Sequence, residues 1–156
     1  MTLDDIDRQL LELLQEDCTP THEALGLRVG LSGSAVRRRI QAMRESGIIV
    51  REVAIVRDDV VAGGLMVIVS VAFGEETPDA VEAFRLAMRD DPRVLQCHAV
   101  SGPMDFVLLV VATSPADHEA WGERMLTANP AVRRSDSQVV WSTVKSTTRR
   151  AIRRLG

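Results

Sequence analysis

Tyrosine is missing from the sequence altogether, and phenylalanine and tryptophan number only three and two. A module that binds RNA by stacking bases on an exposed sheet needs an aromatic pattern that this chain's predicted strands lack, which counts against that reading. Cysteine is scarce as well: Cys18 and Cys97 fit neither a C-x-x-C redox pair nor a zinc-ligand spacing. Reduced thiols in a cytoplasmic protein are the simplest reading. His22, His98 and His118 fall on separate predicted elements without ligand spacing, so neither a metal nor a cofactor is expected. No apolar run approaches the roughly 20 residues of a membrane helix, and the opening MTLDDIDRQ is acidic with no apolar stretch. The expectation is a protein neither secreted nor membrane-embedded. Charge of one sign is lacking too, since 19 Lys and Arg face 22 Asp and Glu. That balance excludes a wholly basic nucleic-acid binder and requires any DNA surface to be local. No phosphate-cradling glycine loop is present, and no acid, base and nucleophile come together: Cys97 and His98, adjacent on a predicted strand, point to opposite faces. An enzyme is not expected.

What is present is apolar content of 46% in 156 residues, enough for a core in one domain or two small ones. Over the first part of the chain the apolar residues recur at helical spacing, beginning with Leu3, Ile6, Leu10, Leu13 and Leu14. The pattern predicts three short helices. The first takes Thr2 as its N-cap, with Asp4 and Asp5 at the positive end of the helix dipole. The second starts at Thr21, turns Ala24, Leu25 and Val29 inward and stops at Gly30. The third is capped by Ser32, buries Val36, Ile40 and Met43, and ends at Gly47.

The periodicity then changes. Residues 65–73, 94–100, 106–112 and 138–144 are short and rich in β-branched side chains, and are predicted strands. Two helices lie between them, each opened by a hydroxyl cap and a proline, Thr77-Pro78 and Ser114-Pro115. The predicted fold is α+β: a three-helix helix-turn-helix domain over residues 1–50, then a ferredoxin-like βαββαβ sandwich over 65–144. Residues 51–64 form the linker, strand-like at first and ending in Gly63-Gly64, and 145–156 form a basic tail.

On the third helix, at about 100° per residue, the inward stripe leaves Ser34, Arg38, Gln41 and Glu45 pointing outward, with Arg37 and Arg44 on one flank and Arg39 on the other. A helix that reads the major groove needs a buried stripe for rigidity and long hydrogen-bonding side chains outside it; arginine bonds guanine bidentately or clamps phosphate. Ser32, Ser34, Arg37, Arg38, Gln41 and Arg44 are therefore the candidate DNA contacts. A run of three arginines is also what a merely solvated face looks like, and the order of three helices with the arginines on the third is what favours DNA.

The segments LDDIDRQLLELLQED and THEALGLRVGLSGSAVRRRIQAMRESGII, with QCHAVSGPMDFVLLV further on, resemble the Lrp/AsnC family of transcription regulators in order and over nearly the whole chain. The first matches an LDxIDxxIL-type opening, the second carries VGLS, a helix and then GxI, and the third ends a strand in VSG before a turn and an aspartate. The resemblance implies sequence-specific binding of double-stranded DNA. It also implies a homodimer formed through the sandwich domain, assembly of dimers into octamers, and a small effector, typically an amino acid, in a crevice between subunits. It places His98, Val100, Ser101, Gly102, Met104 and Asp105 at that effector site.

Glycine lets a ligand approach the backbone, and Asp105 suits an ammonium group. Gly102-Pro103 also suits an ordinary hairpin turn. Relatives that bind amino acids often carry an acidic residue where this chain has Pro103, which brings neither a carboxylate nor an amide hydrogen. Free amino acids are accordingly expected to bind weakly. The stretch 145–154 holds five basic residues and no acidic ones, with Arg149 and Arg153, and Arg150 and Arg154, at helical spacing. It suits DNA phosphates, an acidic partner surface or a solubilising tail. An RNA-binding or amino-acid-sensing accessory module with a ferredoxin-like domain is the alternative to a DNA-binding regulator.

Overall fold

Three helices open the chain: α1 over Asp5–Glu16, α2 over His22–Val29 and α3 over Gly33–Glu45. They belong to a computed structural model that describes residues 2–56, 64–74 and 77–152. The chain divides into two units, Met1–Ile55 with Lys145–Gly156 and Val56–Val144. In the first, Leu10 and Leu11 of α1, Leu25 and Val29 of α2, and Val36, Ile40 and Met43 of α3 form one buried cluster. Fully burying one such side chain contributes about 1.5–3 kcal/mol, so the helical stripe specifies this unit.

Thr2 does not cap α1. Asp4 does, accepting from the Asp7 N–H at 2.8 Å while the Asp7 carboxylate accepts from the Asp4 N–H at 3.2 Å. Two carboxylates at the positive end of the helix close a reciprocal capping box, which a lone threonine two residues earlier cannot do. Ala24 is exposed rather than inward, and Gly26 takes the buried place beside Leu25. The reason is space: a Cβ at Gly26 would stand 2.3 Å from the Leu31 carbonyl oxygen. The turn from α2 into α3 closes on that glycine, with the Leu31 N–H donating to the Gly26 carbonyl at 3.0 Å. Thr21 and Ser32 cap α2 and α3, and Gly30 ends α2 in the left-handed region at φ 72°.

The second unit runs β1 (Leu65–Phe73), α4 (Pro78–Asp90), β2 (Val94–Ala99), β3 (Phe106–Ala112), α5 (Pro115–Gly122) with a π-helical turn at Glu123–Thr127, and β4 (Val132–Val139). The sheet order is β2-β3-β1-β4 with every pair antiparallel, the ferredoxin-like arrangement. Strand β3 alternates buried and half-buried residues along its length, as a half-covered sheet dictates. Val67, Val69 and Val71 of β1 with Phe106, Leu108 and Val110 of β3 meet Phe84 and Met88 of α4, and Trp121 and Leu126 beyond β3. All three phenylalanines meet there: Phe84 lies 5.3 Å from Phe73, edge to face, and 4.8 Å from Phe106 between ring centres. The three phenylalanines and Trp121 are thus inside the second unit.

The last strand lies earlier than the expected 138–144. It spans Val132–Val139, from the Phe73–Val132 pair to the Val67–Val139 pair. Being an edge strand with one neighbour, it tolerates Arg133, Arg134 and Asp136; beyond it the Val140 N–H still donates to the Met66 carbonyl at 2.8 Å, whereas Trp141 is 94% and Val144 98% exposed. Residues 51–56, expected to be strand-like, lie in no strand, and 57–63 lie outside the described residues. The tail at 145–152 forms no helix, so the helical spacing of its arginines does not apply there; Arg153 and Arg154 lie outside the described residues.

Candidate functional site

The six candidate DNA contacts stand on α3 and its cap, and all six are exposed. Ser32 is occupied by its cap, accepting from the Ala35 N–H at 3.3 Å and sharing a hydroxyl contact with Ser34 at 3.1 Å. Gln41 donates to Glu45 one turn on at 2.9 Å. Arg44 is held by both carboxylate oxygens of Glu52, at 2.8 and 2.9 Å. Arg37 and Arg38 have no hydrogen-bond or ion-pair partner among the described residues.

Arg39, the third arginine of the run, does different work. Its guanidinium donates to the Asp7 carboxylate at 2.8 Å and to Asp4 at 2.7 Å. Asp7 is 2% exposed, and Arg39 itself is only partly exposed. These bonds, Asp7 first, raise the Arg39 guanidinium above its ordinary pKa, while the Asp7 N–H and then Arg39 hold the Asp4 carboxyl below its own. The contact fixes α3 against the start of α1. The helical pattern alone places Arg39 on the flank without a role; the spacing of Asp4 and Asp7 signals a helix start, but nothing local announces a partner 32 residues away.

The second candidate site is the turn between β2 and β3. Gly102 takes φ 129°, with nothing within 4 Å of where a Cβ would be, so conformation rather than room calls for glycine. The Val100 N–H donates to the Asp105 carbonyl at 3.0 Å and closes the turn. Val100, Ser101 and Gly102 are exposed and Met104 half-buried, while His98 faces out and contacts Gln96 at 3.4 Å. Asp105 is bound twice to β1: its N–H donates to the Val71 carbonyl at 2.8 Å, and its carboxylate accepts from the Phe73 N–H at 2.6 Å. That carboxylate terminates the β1–β3 ladder beside the aromatic cluster.

The structure therefore brings five of the six candidates, from Val100 to Asp105, onto one closed turn with His98 on the strand leading in. None of the six lines the cleft of about 410 Å³ between α4 and β2, whose walls are Arg85, Met88, Val94, Cys97 and Phe106 among others. Cys97 faces this cleft half-buried, and burial pushes its thiol up, opposed by the Arg85 charge. Among the described residues no group of three or more His, Cys, Asp and Glu side chains is placed to hold a metal. No helix among them is long and apolar enough to cross a membrane.

Two family models match the chain: the AsnC-type helix-turn-helix domain over residues 3–44 and the Lrp/AsnC ligand binding domain over 66–150. The chain is 31% identical over 152 residues to the leucine-responsive regulatory protein of Escherichia coli, covering 97% of this chain and 92% of that protein. An uncharacterized HTH-type transcriptional regulator of Haemophilus influenzae is 33% identical over 145 residues, with 93% and 86% covered. Among solved structures, an AsnC family transcriptional regulator from Agrobacterium tumefaciens superposes with a TM-score of 0.86 at 32% identity, over 94% of this chain and 95% of the other. A transcriptional regulator from Neisseria meningitidis, solved as a complex with L-Met, gives 0.87 at 30% identity over 97% of both chains. With both domains matched in order, and with relatives this similar over almost the full length, the chain belongs to the Lrp/AsnC family of transcriptional regulators.

Proposed function

We propose that the chain regulates transcription by reading DNA through α3, with Arg38 and Arg37 as the reading pair and Ser34 and Gln41 beside them. The observation that carries this reading is the division among four arginines of one helix. Arg39 and Arg44 are spent on intramolecular carboxylates, whereas Arg37 and Arg38 are exposed and unpaired among the described residues. An unpaired guanidinium on a rigid helix keeps its donors for bases and phosphates. Acting on chromosomal DNA, the protein works in the cytoplasm.

The sheet supports a homodimer. Its face away from the helices carries Met66, Ile68, Val107, Leu109 and Val111 on the two central strands, and Ile68 is 37% exposed. A partly open apolar face of this kind is buried by a second copy in a twofold pairing. The same face has no aromatic residue on its central strands, which counts against an RNA-stacking sheet. Further assembly of dimers to an octamer would set a second subunit against the turn at 100–105, whose Val100, Ser101 and Gly102 are exposed.

That turn is the proposed effector site, with His98, Val100, Ser101, Gly102, Met104 and Asp105 as its residues. The Neisseria relative holds L-Met; here Pro103 brings no polar group, and one Asp105 oxygen already accepts from Phe73. Free amino acids therefore bind weakly, and a less polar ligand suits the turn better. Gel retardation with the DNA upstream of the protein's own gene tests the regulator, with specific binding expected and equal affinity for unrelated DNA contradicting it. Titration calorimetry with each of the twenty amino acids tests the effector site. A low-micromolar dissociation constant for any of them contradicts the weak-binding reading.

A further inference from the structure

We infer that residues 145–152 are a strap that completes the helix-turn-helix unit, holding α1 in its packing against the helix that carries the reading arginines. The family's ligand-binding domain model runs to residue 150, yet from Lys145 on the chain packs with the first unit. Three successive contacts make the attachment. The Gln15 side chain accepts from the Arg150 N–H at 2.8 Å and donates to the Arg150 carbonyl at 3.0 Å, so one amide satisfies both backbone groups of a residue that belongs to no strand or helix. Arg149 pairs with Glu16, and the Arg149 N–H donates to the Thr147 hydroxyl at 3.1 Å, which turns the chain at this point. Ile152 then packs, half-buried, against the cluster that contains Leu10 and Leu11 of α1 and Val36, Ile40 and Met43 of α3.

The sequence of α1 explains why such a strap has something to do. The last turn of α1 contains no basic residue and ends in Gln15-Glu16, an acidic end where the helix dipole favours a cation. Arg149 supplies that cation from 133 residues away in sequence (149 − 16). Both members of the pair are about half exposed, so the ion pair contributes little by itself. The paired amide bonds set the position, and Ile152 brings the apolar surface. One consequence is topological: the second unit leaves the first at Val56 and rejoins it after Val144, so it is connected covalently to the DNA-binding unit at two points.

The test is amide hydrogen exchange on the full chain, comparing the parent with Ile152→Asp, Ile152→Leu and Gln15→Ala. The expected result is exchange about tenfold faster in α1 and α3 for Ile152→Asp, equivalent to 1.4 kcal/mol, with β1 and β3 unchanged. Gln15→Ala gives a smaller change confined to α1 and the strap, and Ile152→Leu matches the parent. Complete loss of protection in residues 3–45 of Ile152→Asp, with the sheet intact, supports the strap equally. Unchanged exchange in α1 for both Ile152→Asp and Gln15→Ala overturns it, as does equal acceleration in both units. The link to α3 rests on the DNA-binding reading. Operator affinity is therefore measured on the same variants: a parent that binds no specific DNA speaks against that reading alone, because exchange still decides the strap.

Discussion

The turn between α2 and α3 and the turn between β2 and β3 both depend on glycine, for opposite physical reasons. Gly26 is there because the backbone of Leu31 comes so close that no side-chain atom fits, while Gly102 sits in open space and is there because residues with a side chain rarely adopt its φ of 129°. The charged groups beside each turn differ in the same instructive way. On α3 the arginines divide into two that are held by carboxylates and two that have no partner among the described residues, whereas at the β2–β3 turn the one carboxylate, Asp105, is bound into the sheet. The first turn closes tightly on Gly26 and leads into a helix on which Arg37 and Arg38 keep their guanidiniums unpaired among the described residues. The other has its charge committed to structure, the Asp105 carboxylate accepting from the Phe73 N–H.

Substituting the two glycines sharpens the contrast most. Gly26→Ala forces a backbone shift in the first unit and is expected to cost about 3 kcal/mol, at the upper end for overpacking. Gly102→Ala meets no atom within 4 Å and strains only the backbone, costing about 1–2 kcal/mol in the second unit. Separate melting of the two units, followed by circular dichroism and amide exchange, checks both values; equal costs would break the comparison.

Removing the carboxylate at the second turn comes next. Asp105→Ala leaves the Phe73 N–H without its acceptor and should destabilise the second unit by about 1–2 kcal/mol, even with no ligand present. A variant that melts like the parent would return Asp105 to the role of an uncommitted ligand group. The smallest effect is chemical. Cys18 is exposed at the end of the first helix region, and Cys97 is half-buried with its thiol pushed up, so a thiol reagent at neutral pH should modify Cys18 first. Mass spectrometry of partly labelled protein reads the order, and faster labelling of Cys97 would mean that the cleft between α4 and β2 is more open than described.

Most of this architecture was legible because it rests on local chemistry. Thr21, Ser32, Thr77 and Ser114 announce four helix starts by their hydroxyls, and the stripe of Val36, Ile40 and Met43 is a single-helix pattern. What escaped depends on partners distant in sequence. Arg39 looks like its two neighbours until Asp7 is brought against it, and Asp105 looks available until Phe73 arrives on the adjoining strand. The last strand misled for a related reason: an edge position needs backbone pairing more than apolar side chains, so VRRSDSQV forms the strand and the more apolar residues after it do not. The strap at 145–152 was the least legible of all, since its charges point equally to DNA, a partner or solvent, and only Gln15, Glu16 and the α1 core show which surface it takes.

The central claim is that freedom from internal partners marks the arginines that read DNA. Operator affinity of Arg38→Ala and Arg44→Ala, measured by gel retardation across a series of salt concentrations, tests it most directly. The account predicts that Arg38→Ala loses about 1–3 kcal/mol of specific binding, with melting unchanged. Arg44→Ala, whose guanidinium is already held by Glu52, loses less than about half of that. Parental affinity for Arg38→Ala, or an equal or larger loss for Arg44→Ala, would contradict the claim.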